Sequence, residues 1–376
     1  MTTIISTRTF ILFLAIIPLL HPEFLYAKNK RHVPTAKTAH ITNHHSKNSA
    51  KKNAPDNESE FTNFVQWKAV NEFSKMMVDE HGFDQVELTS VFSQIHYLEK
   101  VVKLINPAPS GKSKNWSAYK DRFIEPVRIR SGLIFWEKYD TELRRAQAEF
   151  GVPPEIIVGI LGVETIYGRS PGNIRVMDAL TTLAFAYPDT ANRDSRMRYF
   201  RDELEQTLLY ARENNIDPFN LSGSFAGAMG LPQFMPSSIR RFAVDFDGDG
   251  RIDLKNSAAD AIGSVASFLA QHGWTADLPL VYPVTVDKNN EAEWKPLIGV
   301  VLSATHTVDE LRRMGVSAPL DSSPTLMMGL IDLEDGKHLT HYWLGSDNFF
   351  AITQYNRSFY YAMAVIELGN AIKQRR

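Results

Sequence analysis

No cysteine occurs among the 376 residues. Disulfides, thiolate metal sites and cysteine nucleophiles are therefore excluded, and so is a lipid carried on an N-terminal cysteine. An excess of charge of one sign is also lacking: 41 Lys and Arg stand against 43 Asp and Glu, a formal net charge of −2. That balance gives no general attraction for nucleic acid, and none is expected as a partner. Long hydrophobic runs are scarce. The one near the N-terminus, Thr9–Leu20, follows Arg8 and is closed by Pro22 and Glu23. It is too short to span a bilayer well. With Ala27 following Leu25 and Tyr26, residues 1–27 read as a secretory signal peptide, an uncleaved anchor being the alternative. An exported chain without cysteine suits the periplasm, soluble and with no stable membrane anchor.

Residues 28–60 lack large apolar side chains and carry seven Lys or Arg against three Asp or Glu. Such a segment cannot bury enough surface to fold and reads as a disordered basic linker. A solvated spacer is the first reading and contact with an anionic surface the second. The remainder, 61–376, is mildly acidic, and with 44% hydrophobic residues overall the chain can build a sizeable core. A monomer is expected.

Apolar spacing predicts helices over Phe61–His81, Asp84–Leu104, Glu125–Phe150, Met177–Tyr187, Arg196–Asn214 and Ala258–His272, the last ended by Gly273. Pro107–Lys114 reads as a loop. Beyond Trp274 the composition turns strand-like over Leu280–Val286, Ile298–Ala304, Thr325–Leu333 and Phe350–Tyr355, with helices at Val308–Met314 and Ser358–Gln374. The fold class expected is mainly α (α+β), with a small β-containing lobe.

Glu164 stands out within Gly162-Val163-Glu164-Thr165-Ile166-Tyr167-Gly168. A helix begins near Val152-Pro153-Pro154-Glu155, proline sitting where no N–H is needed. Ile157, Ile160, Leu161 and Glu164 share one face of it. A carboxyl on a buried apolar stripe keeps its proton at neutral pH, because burial disfavours the charged form. A protonated acid at neutral pH is what breaking a glycosidic bond requires. The plainer reading is half of a structural ion pair. Glu155, in the first turn, complements the helix dipole.

Residues 224–238, SFAGAMGLPQFMPSS, pack glycines and prolines around Phe225, Gln233 and Phe234. Gly227 and Gly230 allow close backbone approach, and Gln233 offers a donor and an acceptor to an N-acetyl amide. A tight turn between helices is the structural alternative. Farther on, Asp245, Asp247, Asp249 and Asp253 occupy positions one, three, five and nine of an EF-hand loop. Gly250 is at position six and Arg251 would offer its carbonyl. Asn256 stands where a bidentate Glu is usual, and Asp260 could close a longer loop. Three alternating aspartates repel one another without a cation, so structural Ca2+ within loop 245–260 is expected. An acidic turn held by Asx hydrogen bonds is the alternative.

GVPPEIIVGILGVETIYG, GSFAGAMGLPQFMPSS and the later Gln354-Tyr355-Asn356-Arg357-Ser358 together resemble the lytic murein transglycosylase B family, glycoside hydrolase family 103, of the lysozyme-like superfamily. The resemblance runs from about residue 61 to the end. It implies a lysozyme-like catalytic core with an additional helical segment over 61–376. It also implies an EF-hand-like calcium site and Glu164 as the sole acid and base. By it, Ser224, Gln233, Tyr355, Asn356 and Tyr361 bind sugar, with Arg196 and Tyr119 lining the cleft. The stretch between Tyr187-Pro188 and Tyr199-Phe200 is longer than the family pattern, and an arginine pair is reduced to Ser195-Arg196. The implied reaction, on peptidoglycan glycan strands, cuts the β-1,4 bond between N-acetylmuramic acid and N-acetylglucosamine and leaves a 1,6-anhydro sugar. No cofactor takes part in it. A lysozyme-like hydrolase and a non-catalytic, calcium-stabilised wall-binding protein are the rival readings.

Overall fold

The computed structural model describes residues 63–106, 114–299, 301–319, 322–336 and 338–376. The signal-peptide and linker readings, and most of the Pro107–Lys114 loop, lie outside the described residues. Fifteen helices are formed among those that are described. They are α1 Lys68–His81, α2 Gln85–Ser93, α3 Glu99–Ile105, α4 Trp116–Lys120, α5 Pro126–Lys138, α6 Asp140–Phe150, α7 Pro154–Thr165 and α8 Val176–Phe185. Then follow α9 Arg193–Glu213, α10 Pro236–Phe242, α11 Ala258–Gln271, α12 Glu291–Trp294, α13 Val308–Arg313, α14 Asp347–Tyr355 and α15 Phe359–Lys373. Two short strands, β1 Ile174–Arg175 and β2 Ser222–Gly223, pair antiparallel. The strands β3 Val281–Val286, β4 His306–Thr307, β5 Val316–Ser317, β6 Met327–Leu333 and β7 His341–Gly345 make an antiparallel sheet in the order β4-β6-β7-β3-β5. The mainly α, lysozyme-like reading with a small β lobe therefore holds.

Several expectations are corrected. Asp84–Leu104 is two helices, α2 and α3, the first closed at Gln94 and the second preceded by Leu98, and within Phe61–His81 the α-helix begins at Lys68, after a short 3-10 turn at Phe64–Gln66. Glu125–Phe150 is two helices, not one: the Tyr139 N–H closes α5 onto Phe135. Asp140 and Glu142 then open α6, where acidic side chains favour an N-terminus. Phe350–Tyr355 is helical within α14, which Ser346 caps through the Asn348 N–H. Its aromatic residues suggest a strand, but Phe349, Phe350 and Ile352 are all buried as helix residues. Among the described residues of 298–304 there is no strand, while β7, unforeseen, lies at the sheet's centre between β6 and β3.

One large apolar core unites the helical body, and a smaller one under the sheet gathers Trp294, Val308, Leu311, Val316, Met328, Leu330 and Leu344. At the centre α7 crosses α15 so closely that only glycine fits at the crossing. A Cβ on Gly159 would lie 2.4 Å from the Val365 carbonyl oxygen, and one on Gly369 would lie 2.1 Å from that of Glu155. Ile156, Ile157, Val158, Ile160 and Leu161 are almost completely buried between these layers. Each contributes roughly 1.5–3 kcal/mol by leaving water. Among the described residues no helix is long and apolar enough to cross a membrane.

Candidate active site

Glu164 is the last residue but one of α7, which runs into a tight left-handed turn. Ile166 (φ 52°), Tyr167 (φ 57°) and Gly168 (φ 84°) all take positive φ. For two bulky side chains, one of them β-branched, that conformation is costly and persists only where the surroundings enforce it. Thr165 supplies part of the enforcement. Its hydroxyl donates to the Leu231 carbonyl at 2.8 Å and accepts from the Gly168 N–H at 2.9 Å. The helix end carrying Glu164 is thus tied to the 224–238 loop. On the opposite side the Arg128 Nε donates to the Gly162 carbonyl at 2.8 Å. Tyr167 folds back over two glycines, its hydroxyl 2.5 Å from where a Cβ on Gly132 would stand and 2.4 Å from one on Gly162.

The α7–α15 crossing brings Tyr361 to Glu164. Its hydroxyl donates to Glu164 Oε1 at 2.6 Å, across 197 residues of sequence. Oε2 has no protein hydrogen bond among the described residues. Burial pushes the Glu164 carboxyl up from 4.5 to about 7, against the opposing pull of the Tyr361 hydrogen bond. No neighbouring charge contributes to that shift. The group is therefore close to half-protonated at neutral pH, ready to give a proton and to take one back.

Tyrosines crowd the same spot. Tyr355 stacks on Tyr361 with centroids 6.2 Å apart and planes 16° from parallel, and its hydroxyl donates to the Pro232 carbonyl at 2.6 Å. Burial raises the Tyr355 and Tyr361 hydroxyls well above the ordinary range, with the Glu164 charge adding to it. Tyr119 on α4 is pushed up to about 12, chiefly by burial, and also senses Glu164. These hydroxyls stay neutral and serve as hydrogen-bond groups. Asn356, almost fully buried, leaves its side-chain oxygen without a partner.

In the 224–238 loop much of the polar capacity is spent on the loop's own turns. The Ser224 hydroxyl oxygen accepts the Ala226 and Ala228 N–H groups at 3.3 and 3.1 Å, which keeps the serine buried in its own turn. Only its O–H remains to donate. Gln233 also takes a left-handed backbone (φ 52°), and its Nε2 donates to the Pro171 and Gly230 carbonyls, both at 3.0 Å. Its Oε1 is the atom left for a ligand. Arg196 is not an open cleft residue. Its guanidinium is buried over the rings of Tyr187, Tyr199 and Phe200 at 5.8, 5.0 and 4.9 Å, and none of these belongs to the Glu164 group. Its Nη2 has no partner.

Sequence reasoning missed Thr165, Tyr167 and Arg128, which hold the helix end. Thr165 and Tyr167 lie within the Glu164 motif, so their closeness was the available signal. Arg128 carries none. A concavity of about 460 Å³ lined by Phe83, Leu88, Leu208 and Phe219 among others shares no residue with this group.

The 245–260 loop gathers its aspartates and also holds them by Asx hydrogen bonds to its own backbone. Oxygens of Asp245, Asp247 and Asp249 come within 4.8 Å of one another, all exposed. Gly248 (φ 77°) and Gly250 (φ 89°) make the turn, and their N–H groups each donate to Asp245 at 2.8 Å. A hard, oxygen-seeking divalent ion fits this donor set. Asp260, at the start of α11, is buried beneath the loop and accepts the Phe246, Asp247 and Asp253 N–H groups at 2.8, 3.3 and 2.8 Å. Asp253 instead accepts from Asn256 and Lys255.

One buried carboxyl near neutrality, at the end of an apolar helix in a lysozyme-like fold and faced by tyrosines, defines a glycan-cleaving enzyme. The chain belongs to the lytic murein transglycosylases: residues 65–370 match the transglycosylase SLT domain. It is 42% identical over 315 residues to membrane-bound lytic murein transglycosylase B of Escherichia coli (strain K12), covering 81% of this chain and 82% of that one. The soluble lytic transglycosylase SltB1 of Pseudomonas aeruginosa superposes with a TM-score of 0.73 at 42% identity, over 82% of this chain and 99% of that one. The E. coli lytic transglycosylase Slt35 in complex with calcium gives 0.72 at 39% identity, over 84% and 96%.

Proposed function

We propose that this enzyme cleaves the β-1,4 bond between N-acetylmuramic acid and N-acetylglucosamine with Glu164 as its one acid and base. The carrying observation is a single buried carboxyl at about 7, with no second carboxylate contributing to its state. Glu164 Oε2 gives its proton to the glycosidic oxygen as the C1–O4 bond breaks. The carboxylate then removes the proton from the C6 hydroxyl of the muramyl residue, whose oxygen closes on C1. The product is a 1,6-anhydro sugar and no water is consumed. A hydrolase needs a second carboxylate to activate water or to attack C1. Here the nucleophile is part of the substrate. The Tyr361 hydroxyl stabilises the carboxylate stage through its 2.6 Å hydrogen bond, and burial favours return of the proton.

Tyr119, Tyr355, Asn356, Ser224 and Gln233 are assigned to sugar binding. Tyr119 and Tyr355 offer rings, Asn356 a buried unpaired oxygen, Gln233 an acceptor and Ser224 a donor. Arg196 is left out of the sugar-binding set, because its guanidinium is buried against Tyr187, Tyr199 and Phe200. A structural Ca2+ would be held by Asp245, Asp247, Asp249 and the Arg251 carbonyl, while Asp260 braces the loop from below through the Phe246, Asp247 and Asp253 N–H groups and is not itself a ligand. The enzyme is assigned to the periplasm, with residues 1–27 as its signal and 28–60 as a spacer. Incubation with purified peptidoglycan and mass spectrometry of the products test the reaction. Muropeptides one water lighter than hydrolysis products are expected. Reducing ends would indicate the hydrolase, and an uncut wall the binding protein.

A further inference from the structure

Arg122 follows α4 and sits at the edge of the Glu164 group with its charge unused. Its guanidinium carbon lies 4.6 Å from the centre of the Tyr119 ring and 5.9 Å from that of Phe123. The side chain is exposed and makes no ion pair or hydrogen bond among the described residues. Its backbone is fixed. The Arg128 Nη1 donates to the Arg122 carbonyl at 2.7 Å while the Nε of the same guanidinium holds the Gly162 carbonyl at 2.8 Å. Arg122 is therefore one guanidinium away, in backbone terms, from the helix turn that carries Glu164. Arg128 itself is mostly buried and leans on the Phe123 ring at 5.2 Å.

An arginine stacked on an aromatic face keeps its in-plane N–H fork free, and that fork matches a carboxylate. We propose that Arg122 binds a carboxylate of the stem peptide carried by the muramyl residue at the cut, and so makes the enzyme favour peptide-bearing glycan. This rests on the reading of the substrate given above. The muramyl lactyl group bears the peptide beside the scissile bond, and the peptide's free carboxylates are anions in reach of a cation at the cleft edge. A stripped strand offers the lactyl carboxylate instead, a second source of the same chemistry.

The test uses the full chain, wild type, Arg122→Ala and Arg122→Lys, on glycan strands with intact stem peptides and on strands stripped by an amidase. The readout is the ratio of kcat/KM on intact over stripped strands, which cancels any disturbance of Tyr119 common to both. Arg122→Ala should lower that ratio about three- to tenfold, mainly through KM, as expected for a partly exposed charge-assisted contact. Arg122→Lys should recover part of it, and salt should erode the wild-type ratio. An unchanged ratio overturns the proposal. A raised ratio also overturns it and assigns the lactyl carboxylate as the ligand. Wild type that releases no anhydro ends from either substrate overturns the transglycosylase reading, and this proposal with it.

Discussion

Replacing Glu164 by Gln should stabilise the fold at alkaline pH and leave it unchanged in acid. Burial moves this carboxyl from 4.5 to about 7, so the fold disfavours its charged form. The sign follows from proton binding. Below 4.5 the group is protonated in both folded and unfolded chains and makes no difference to stability. Between 4.5 and about 7 the unfolded chain releases the proton while the folded chain keeps it, so stability falls as pH rises. Above that window the whole cost is present, about 3 kcal/mol at roughly 1.4 kcal/mol per pH unit. Gln keeps the shape, can still accept the Tyr361 hydroxyl, and never ionises. Urea unfolding of both proteins in saturating calcium gives the difference directly. The variant should gain nothing near about pH 4 and about 2–3 kcal/mol near about pH 8. A difference that does not vary with pH, or a wild type that is the more stable near about pH 8, would refute the buried-acid reasoning.

Tyr361→Phe removes the one hydrogen bond that favours the Glu164 carboxylate, so the carboxyl should rise further. The alkaline limb of the kcat/KM profile should then move up by about one pH unit, and a downward move contradicts the assignment. Gly162→Ala drives a methyl to 2.4 Å from the Tyr167 hydroxyl and 2.8 Å from Leu368 Cδ2. It should cost about 1–3 kcal/mol in urea unfolding, and a neutral result would mean the turn is loosely held. Chelator should lower Tm for wild type, by the equivalent of about 3 kcal/mol if calcium had been at a hundredfold its Kd. Asp249→Asn should weaken that response, and a Tm indifferent to chelator removes calcium from the loop.

The Glu164 helix was readable because its signals are local: proline in the first turn, then an unbroken apolar run. The helix is buried around most of its length, and that apolar setting explains why a lone carboxyl there is perturbed. The acidic loop was readable for the same reason, since its carboxylates alternate along one turn. Tyr361 is different. It reaches Glu164 only because glycines let α7 and α15 cross closely, and periodicity says nothing about which helices cross. Family resemblance supplied that residue. It also suggested Arg196, whose charge is buried among aromatic rings. The β lobe was the least legible part. The pattern around β7 is short and half-buried, so alternation is weak, and Phe350–Tyr355 has β-rich composition in a helix. Tertiary packing overrides such preferences.

The most direct test of a single-carboxylate transglycosylase is digestion of peptidoglycan in oxygen-18 water, followed by mass spectrometry of the released muropeptides. Attack by the muramyl C6 oxygen should give anhydro ends that carry no label from the solvent. Labelled reducing ends, formed from the start of the digestion, would contradict the assignment of Glu164 as the only acid and base.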